Sequence, residues 1–165
     1  MTTSAMYIAK IVALNGGQLT GKTRLQKTAY FLEEFNLGND ADFEYYYYGP
    51  YSEEISTAAD DARALGYIST EWNRTKAGTE FAIFKSNIEI PSNKEDRRRQ
   101  KILSILDRYD AVSVELAATA DFLSKNGYGD DPWGETARRK EDKATQERLD
   151  KAKSLLSALN QGSQA

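Results

Sequence analysis

The sequence predicts an α+β fold. A winged-helix-like N-terminal lobe over residues 3–90 (helix, helix, strand, helix, β-hairpin) leads into a three-helix C-terminal extension over 92–160, packed on the lobe as one structural domain. Three observations predict this. Apolar residues recur at three- and four-residue spacing over 3–35, over 52–65, and in three stretches after residue 92. Between the first of these lie aromatic or alternating runs at 43–48, 67–72 and 80–85, bounded by Gly, Pro or Asn. After Ile88–Pro91 the composition shifts toward charge and strand-like runs stop.

The first helix puts Met6, Ile8, Ile11 and Val12 on one stripe, and Asn15-Gly16-Gly17 supplies residues that tolerate a left-handed stop. Thr20 suits the cap of a second helix, where Leu25, Ala29, Leu32 and Phe35 repeat, ending near Asn36-Leu37-Gly38. Phe43–Tyr48 suits one strand that stops at Gly49-Pro50. Ser52 is a good N-cap, Glu53 and Glu54 complement a first turn, and Ile55, Ala58, Ala62 and Leu65 continue helically to Gly66. Residues 67–72 and 80–85 make a hairpin across Asn73–Gly78. In the extension, Ser92 suits the cap of a helix carrying Ile102, Leu106 and Tyr109. A second helix presents Val112, Leu116, Ala120 and Leu123, and a third presents Leu149, Ala152, Leu156 and Leu159. Asn126–Glu135, rich in Gly and Asp, reads as a loop pinned by Trp133.

Composition narrows the chemistry. The 165 residues contain neither cysteine nor histidine, which removes thiolate catalysis, Ser-His and Cys-His triads, and His- or Cys-ligated metals. Asp60-Asp61 and Asp130-Asp131 diverge as neighbours and lack calcium-loop spacing, so no metal or other cofactor is expected and an enzyme is disfavoured. No apolar run nears the ~20 residues of a membrane span, and no secretion signal opens the chain, so the expected location is cytoplasmic.

Leu25-Gln26-Lys27 followed by Tyr30, and Tyr48-Gly49-Pro50-Tyr51-Ser52, resemble the signatures of the uncharacterised bacterial YwgA family. More distantly they resemble the SocA-like antitoxin (Panacea) domain. The similarity runs weakly on to Glu115-Leu116-Ala117-Ala118-Thr119-Ala120. What the resemblance implies is a winged-helix-like fold without catalysis and, in the antitoxin branch, direct binding of a protein partner. Tyr51 stands where that branch has Val or Ile after the proline.

Two other readings compete. Residues 16–23 fit G-x-x-x-x-G-K-[ST], in which backbone amides around Gly16 and Gly21 would cradle phosphates, Lys22 would reach the terminal phosphates and Thr23 would hold magnesium. That fold needs buried parallel strands, and the chain has only three valines. A winged helix also invites DNA, with the third helix in the major groove and Arg74 and Lys76 on the wing meeting phosphates. Charge argues against it, because residues 1–90 hold eight basic and twelve acidic side chains and no Lys or Arg lies between Thr28 and Ala62. Arg97-Arg98-Arg99, with Lys94 and Lys101, reads as a solvated face.

The tyrosine run carries the preferred reading. Strand alternation sends Tyr46 and Tyr48 to one side and Phe43, Tyr45 and Tyr47 to the other, with the pair Phe43 and Tyr45 assigned to the core. The contact set is then Tyr46 and Tyr48 with Glu53, Glu54, Asp60 and Asp61, in a non-enzymatic regulatory module recognising a protein with a basic face, a toxin if the antitoxin resemblance holds. A DNA-binding regulator is the alternative, and nucleotide binding the third.

Overall fold

A computed structural model describes residues 3–162, and within them the chain is α+β: seven helices with two small antiparallel sheets. Helix α1 (Ser4–Leu14) begins at Thr3, whose hydroxyl accepts the Met6 N–H at 3.2 Å, and buries Tyr7, Ile8, Ile11 and Val12. It ends in a turn at Gly16 and Gly17, both at positive φ. Strand β1 (Gln18–Thr20) follows, then α2 (Lys22–Glu34). β2 (Glu44–Tyr46) and β3 (Gly49–Tyr51) form a separate hairpin before α3 (Glu53–Ala64). β4 (Ile68–Arg74) and β5 (Glu80–Ser86) complete a three-stranded sheet of order β1-β5-β4, in which Leu19 faces Phe84 and Ile68 faces Ser86.

The second half holds α4 (Asp96–Asp107), α5 (Ala111–Lys125), α6 (Pro132–Arg139) and α7 (Gln146–Gly162). Helix α5 is the centre of the molecule. Its Leu116, Ala117, Ala118, Thr119 and Ala120 are all buried, and it packs against α2, β3, α6 and α7. Small side chains on this helix let several elements approach its axis closely. The first half is locked to the second by two cationic side chains. Arg24 of α2 donates to the carbonyls of Leu106 (3.2 Å) and Tyr109 (2.7 Å) at the end of α4, where Leu106 also accepts the Tyr109 N–H at 3.1 Å. Arg99 of α4 donates to the Leu37 carbonyl at 2.9 Å and pairs with Asp96 at 2.8 Å, while Asp96 also meets Lys10 of α1 at 3.1 Å. Burial alone would raise the Asp96 carboxyl, but the Asn93 N–H, Arg99 and Lys10 outweigh it and hold its pKa below the ordinary value.

Several expectations need correction. The extension has four helices, because Asp131 accepts the Gly134 N–H at 3.0 Å and Pro132 occupies the first turn, so residues expected in a loop start α6. Trp133 lies on that helix and packs against the core from there. The turn expected after α1 contains β1, which pairs along β5. The N-cap of α2 is Gly21, at φ 97° with no side-chain cap, in place of Thr20, and α4 starts at Asp96, past the expected Ser92 cap. Residues 43–48 are not one strand ending at Gly49-Pro50. The chain turns at Tyr47 and Tyr48, and Gly49 and Pro50 open β3. Arg99 is buried, so the arginine run is not wholly a solvated face.

Ser52 does cap α3 as expected, accepting the Ile55 N–H at 3.3 Å from a fully buried position. Ser52→Ala is expected to cost about 1 kcal/mol, read as a lower urea midpoint at unchanged slope. An unchanged midpoint would mean that the cap contributes nothing to α3.

Candidate functional site

The two sequence signatures meet in space. Consecutive residues of α2 hold the backbone of β3 and of Ser52 just after it. The Gln26 side chain donates to the Ser52 carbonyl at 3.0 Å and accepts the Ser52 N–H at 2.8 Å, pairing with it as a neighbouring strand would. Lys27, only 2% exposed, donates through Nζ to the Pro50 carbonyl at 2.8 Å. Burial pushes the Lys27 ammonium down to about 8, with Glu115 opposing the shift and Lys140 and Lys143 reinforcing it. Leu25 is buried in the core. Tyr30 donates its hydroxyl to Asp121 of α5 at 2.6 Å, and burial raises both groups above their ordinary pKa values.

Helix α5 forms the back of this clamp. Gly49 has φ 96°, and a Cβ there would collide with Thr119 Oγ1, so both backbone and space require glycine. Pro50 faces Tyr45, while Tyr46 and Gly49 close the turn, so the missing proline N–H falls at a position where the ladder needs no donor. Glu115, one helical turn from Thr119, pairs with Lys140 at 3.2 Å and Lys143 at 3.0 Å. Lys140 also donates to the Tyr47 carbonyl at 2.8 Å, and Lys143 lies 4.8 Å from the Tyr48 ring centre. On the other flank the Arg139 guanidinium sits between the rings of Tyr45 (4.7 Å) and Tyr128 (4.9 Å) and bonds Glu135 at 2.7 Å.

At the end of this support the tyrosines stand out. Tyr46, Tyr47 and Tyr48 are 53%, 81% and 54% exposed. Tyr46 stacks on Tyr51 and meets Tyr47 edge to face, each at 5.0 Å. Tyr46 and Tyr48 are therefore exposed as expected, and Tyr47, expected on the side shared with Phe43 and Tyr45, is the most exposed because it sits in the turn. Phe43 and Tyr45 are half-buried, with Phe43 edge-on to Tyr30. Of the acidic set, Asp60 joins the tyrosines around a common cavity beside the hairpin. Glu53 and Glu54 are exposed at the start of α3, with Glu54 accepting the Asp42 N–H at 3.0 Å, and Asp61 is exposed farther along.

The phosphate-loop match does not fold as one. Residues 18–20 are a strand paired with β5, the Gly21 N–H donates to Ala82 at 2.7 Å, and the Gly17 carbonyl accepts from Ser86 at 2.9 Å. The backbone that a phosphate would need is spent on the ladder, and the sheet is antiparallel. Lys22 lies over the Trp72 ring at 5.1 Å. At the β4–β5 hairpin, Arg74 pairs with Glu80 at 2.9 Å, which leaves Lys76 little company for a phosphate backbone. Among the described residues no cluster of three or more Asp and Glu is placed to hold a metal ion, and no helix is long and apolar enough to cross a membrane.

Residue-by-residue reading missed Lys140, Lys143, Thr119 and Arg139. The lysines sit in a charged run with nothing local to mark which would be buried. Glu115 did carry a signal, as a lone carboxylate in a run of small apolar residues.

No family model matches the chain. It is similar to the "Uncharacterized protein YwgA" of Bacillus subtilis (strain 168), at 24% identity over 131 residues, covering 68% of this chain and 78% of that protein.

Gly49→Ala is expected to lower stability by about 1–3 kcal/mol through backbone strain and the Thr119 collision, measured by urea denaturation. A loss within experimental error would remove the close approach from the argument. The buried Lys27 sets a pH dependence. Its folded pKa of about 8 lies below the unfolded value of about 10.4, so between these the unfolded chain binds more protons and stability rises with pH. Relative to Lys27→Met, the wild type is expected to gain stability from pH 8 to 10. Tyr7 and Tyr30, both raised by burial, lower the stability of both proteins at higher pH and cancel in the comparison. Parallel pH profiles for the two proteins would show that Lys27 does not titrate in this window.

Proposed function

We propose that the chain is a non-enzymatic protein-recognition module of winged-helix kind, with an antitoxin-like regulatory role, whose contact surface is the tip of the β2–β3 hairpin. The observation that carries this is the exposure of Tyr46, Tyr47 and Tyr48 on a backbone tied to α2, α5 and the segment after α6. Tyrosine supplies large contact area at low entropy cost, and a tip already fixed in place reduces the ordering that binding requires. The element order α1-β1-α2-β2-β3-α3-β4-β5, with sheet order β1-β5-β4, supports the winged-helix reading of the lobe once the separate β2–β3 hairpin is taken as an insertion between α2 and α3. Exposed Glu53, Glu54, Asp60 and Asp61 on α3 support a partner with a basic face and speak against DNA, whose phosphates would meet like charge.

The test compares baits. Wild type and a folded Tyr47→Ser, Tyr48→Ser double variant are immobilised, and the proteins retained from the host are quantified by mass spectrometry. A protein held by wild type and lost with the double variant is the expected result; identical retention by the two baits overturns the reading. With that partner in hand, Glu53→Lys with Glu54→Lys is expected to slow association at low salt, while Tyr46→Ala mainly speeds dissociation. Stopped-flow or surface-binding kinetics separates the two effects.

A further inference from the structure

The cavity beside the hairpin has a volume of about 340 Å³, toward the lower end of the ~300–1,000 Å³ range of small-molecule sites. It lies between α2, α3, the hairpin and the inner face of the β4–β5 pair. Leu25, Ala59 and Phe84 with Tyr46, Tyr48 and Tyr51 give it a largely apolar, ring-rich wall.

Two buried polar groups in this wall lack full partners. Thr70 Oγ1 is buried and makes no hydrogen bond. Lys27 also lines the cavity, and the Pro50 carbonyl is the one acceptor its ammonium has among the described residues, with no carboxylate at ion-pair distance. An ammonium carries three donors, so two are unfilled in a nearly dry setting. Charge points the same way. Lys22 and Arg63 stand on the lining with Lys27, against the single carboxylate of Asp60, which lies 3.6 Å from Arg63.

We propose that this cavity binds a small aromatic carboxylate, its ring among the tyrosines and Phe84, its carboxylate on the Lys27 ammonium, and Thr70 Oγ1 as a second polar anchor. A neutral aromatic would leave the ammonium unpaired. A phosphate would bring a strongly hydrated charge against apolar walls, and a short aliphatic acid would leave the rings unused. Since burial brings Lys27 to about 8, the ammonium is the main form at pH 7. Glu115, Lys140 and Lys143 are the charged groups whose fields act on it, Glu115 favouring the ammonium and the two lysines opposing it. The proposal stands apart from protein recognition by the tip and does not require it.

Titration calorimetry on the full chain at pH 7 tests it, with benzoate and indole-3-carboxylate as probes, their amides as neutral isosteres, and acetate as the ringless control. One saturable site is expected for at least one aromatic acid, about tenfold or more tighter than its amide, with acetate silent. Lys27→Met should erase the preference for acid over amide, and Thr70→Val should weaken binding severalfold. Ala59→Phe, which fills the cavity from a half-buried position on α3, should abolish binding while circular dichroism and melting stay close to wild type. The proposal is overturned if neither acid binds up to millimolar concentration, if amides bind as tightly as acids, or if Ala59→Phe binds like wild type. If Lys27→Met does not fold, the amide comparison and the other two variants decide.

Discussion

Burying the Lys27 ammonium under a two-stranded hairpin is the constraint around which the molecule is arranged. An ammonium taken out of water must find oxygen, and the Pro50 carbonyl at 2.8 Å is what the chain supplies. For that carbonyl to be there, β3 must lie along α2, and the reciprocal Gln26 and Ser52 bonds hold it at that register. Helix α5 must then close the far side without a bulky residue in between. Gly49 against Thr119, within a run of alanines, makes this possible. Glu115 lies behind and offsets part of the positive field, and its own partners Lys140 and Lys143 draw in the chain after α6. Each step follows from the one before, so these contacts join the first half of the chain to the second.

The same arrangement explains why the tip can expose three aromatic side chains without collapsing onto the surface. A two-stranded hairpin is at best marginally stable in water, and this one has only three residues per strand. Its order comes from outside: Lys27 and Gln26 on one side, Lys140 at the turn, and Arg139 between Tyr45 and Tyr128 on the flank. Arg139 also reports how the second half contributes, since it sits on α6, a helix that Asp131 caps and Pro132 opens where composition suggests a loop.

Periodicity made the long elements legible. α1, α2, α3, α5, α7 and the β4–β5 hairpin follow from apolar spacing and from Gly, Asn and Ser at their ends. Short elements were illegible because their information is not local. Three residues of β1 carry no alternation worth reading and become a strand by pairing with β5. The tyrosine run satisfies a single strand until one knows that Gly49 takes positive φ and that α2 holds Pro50 and Ser52. The site divided likewise. The two signatures named half of the clamp, while Lys140, Lys143 and Arg139 look like any surface charges in a run of them, and only tertiary packing assigns them a role. The phosphate-loop pattern misled for the complementary reason, since a pattern of residue types does not say where the backbone amides point.

One property of the clamp has consequences for how such a surface changes over time. Gln26 holds the amide and carbonyl of Ser52, Lys27 the carbonyl of Pro50, and Lys140 the carbonyl of Tyr47. All are main-chain atoms, and the one that falls within residues 46–48 is a carbonyl, which every amino acid provides. Replacing the side chains at 46, 47 or 48 therefore leaves each of these anchors in place. The scaffold and its display are chemically separable, so a lineage can revise what the tip presents, residue by residue, while inheriting the same loop geometry.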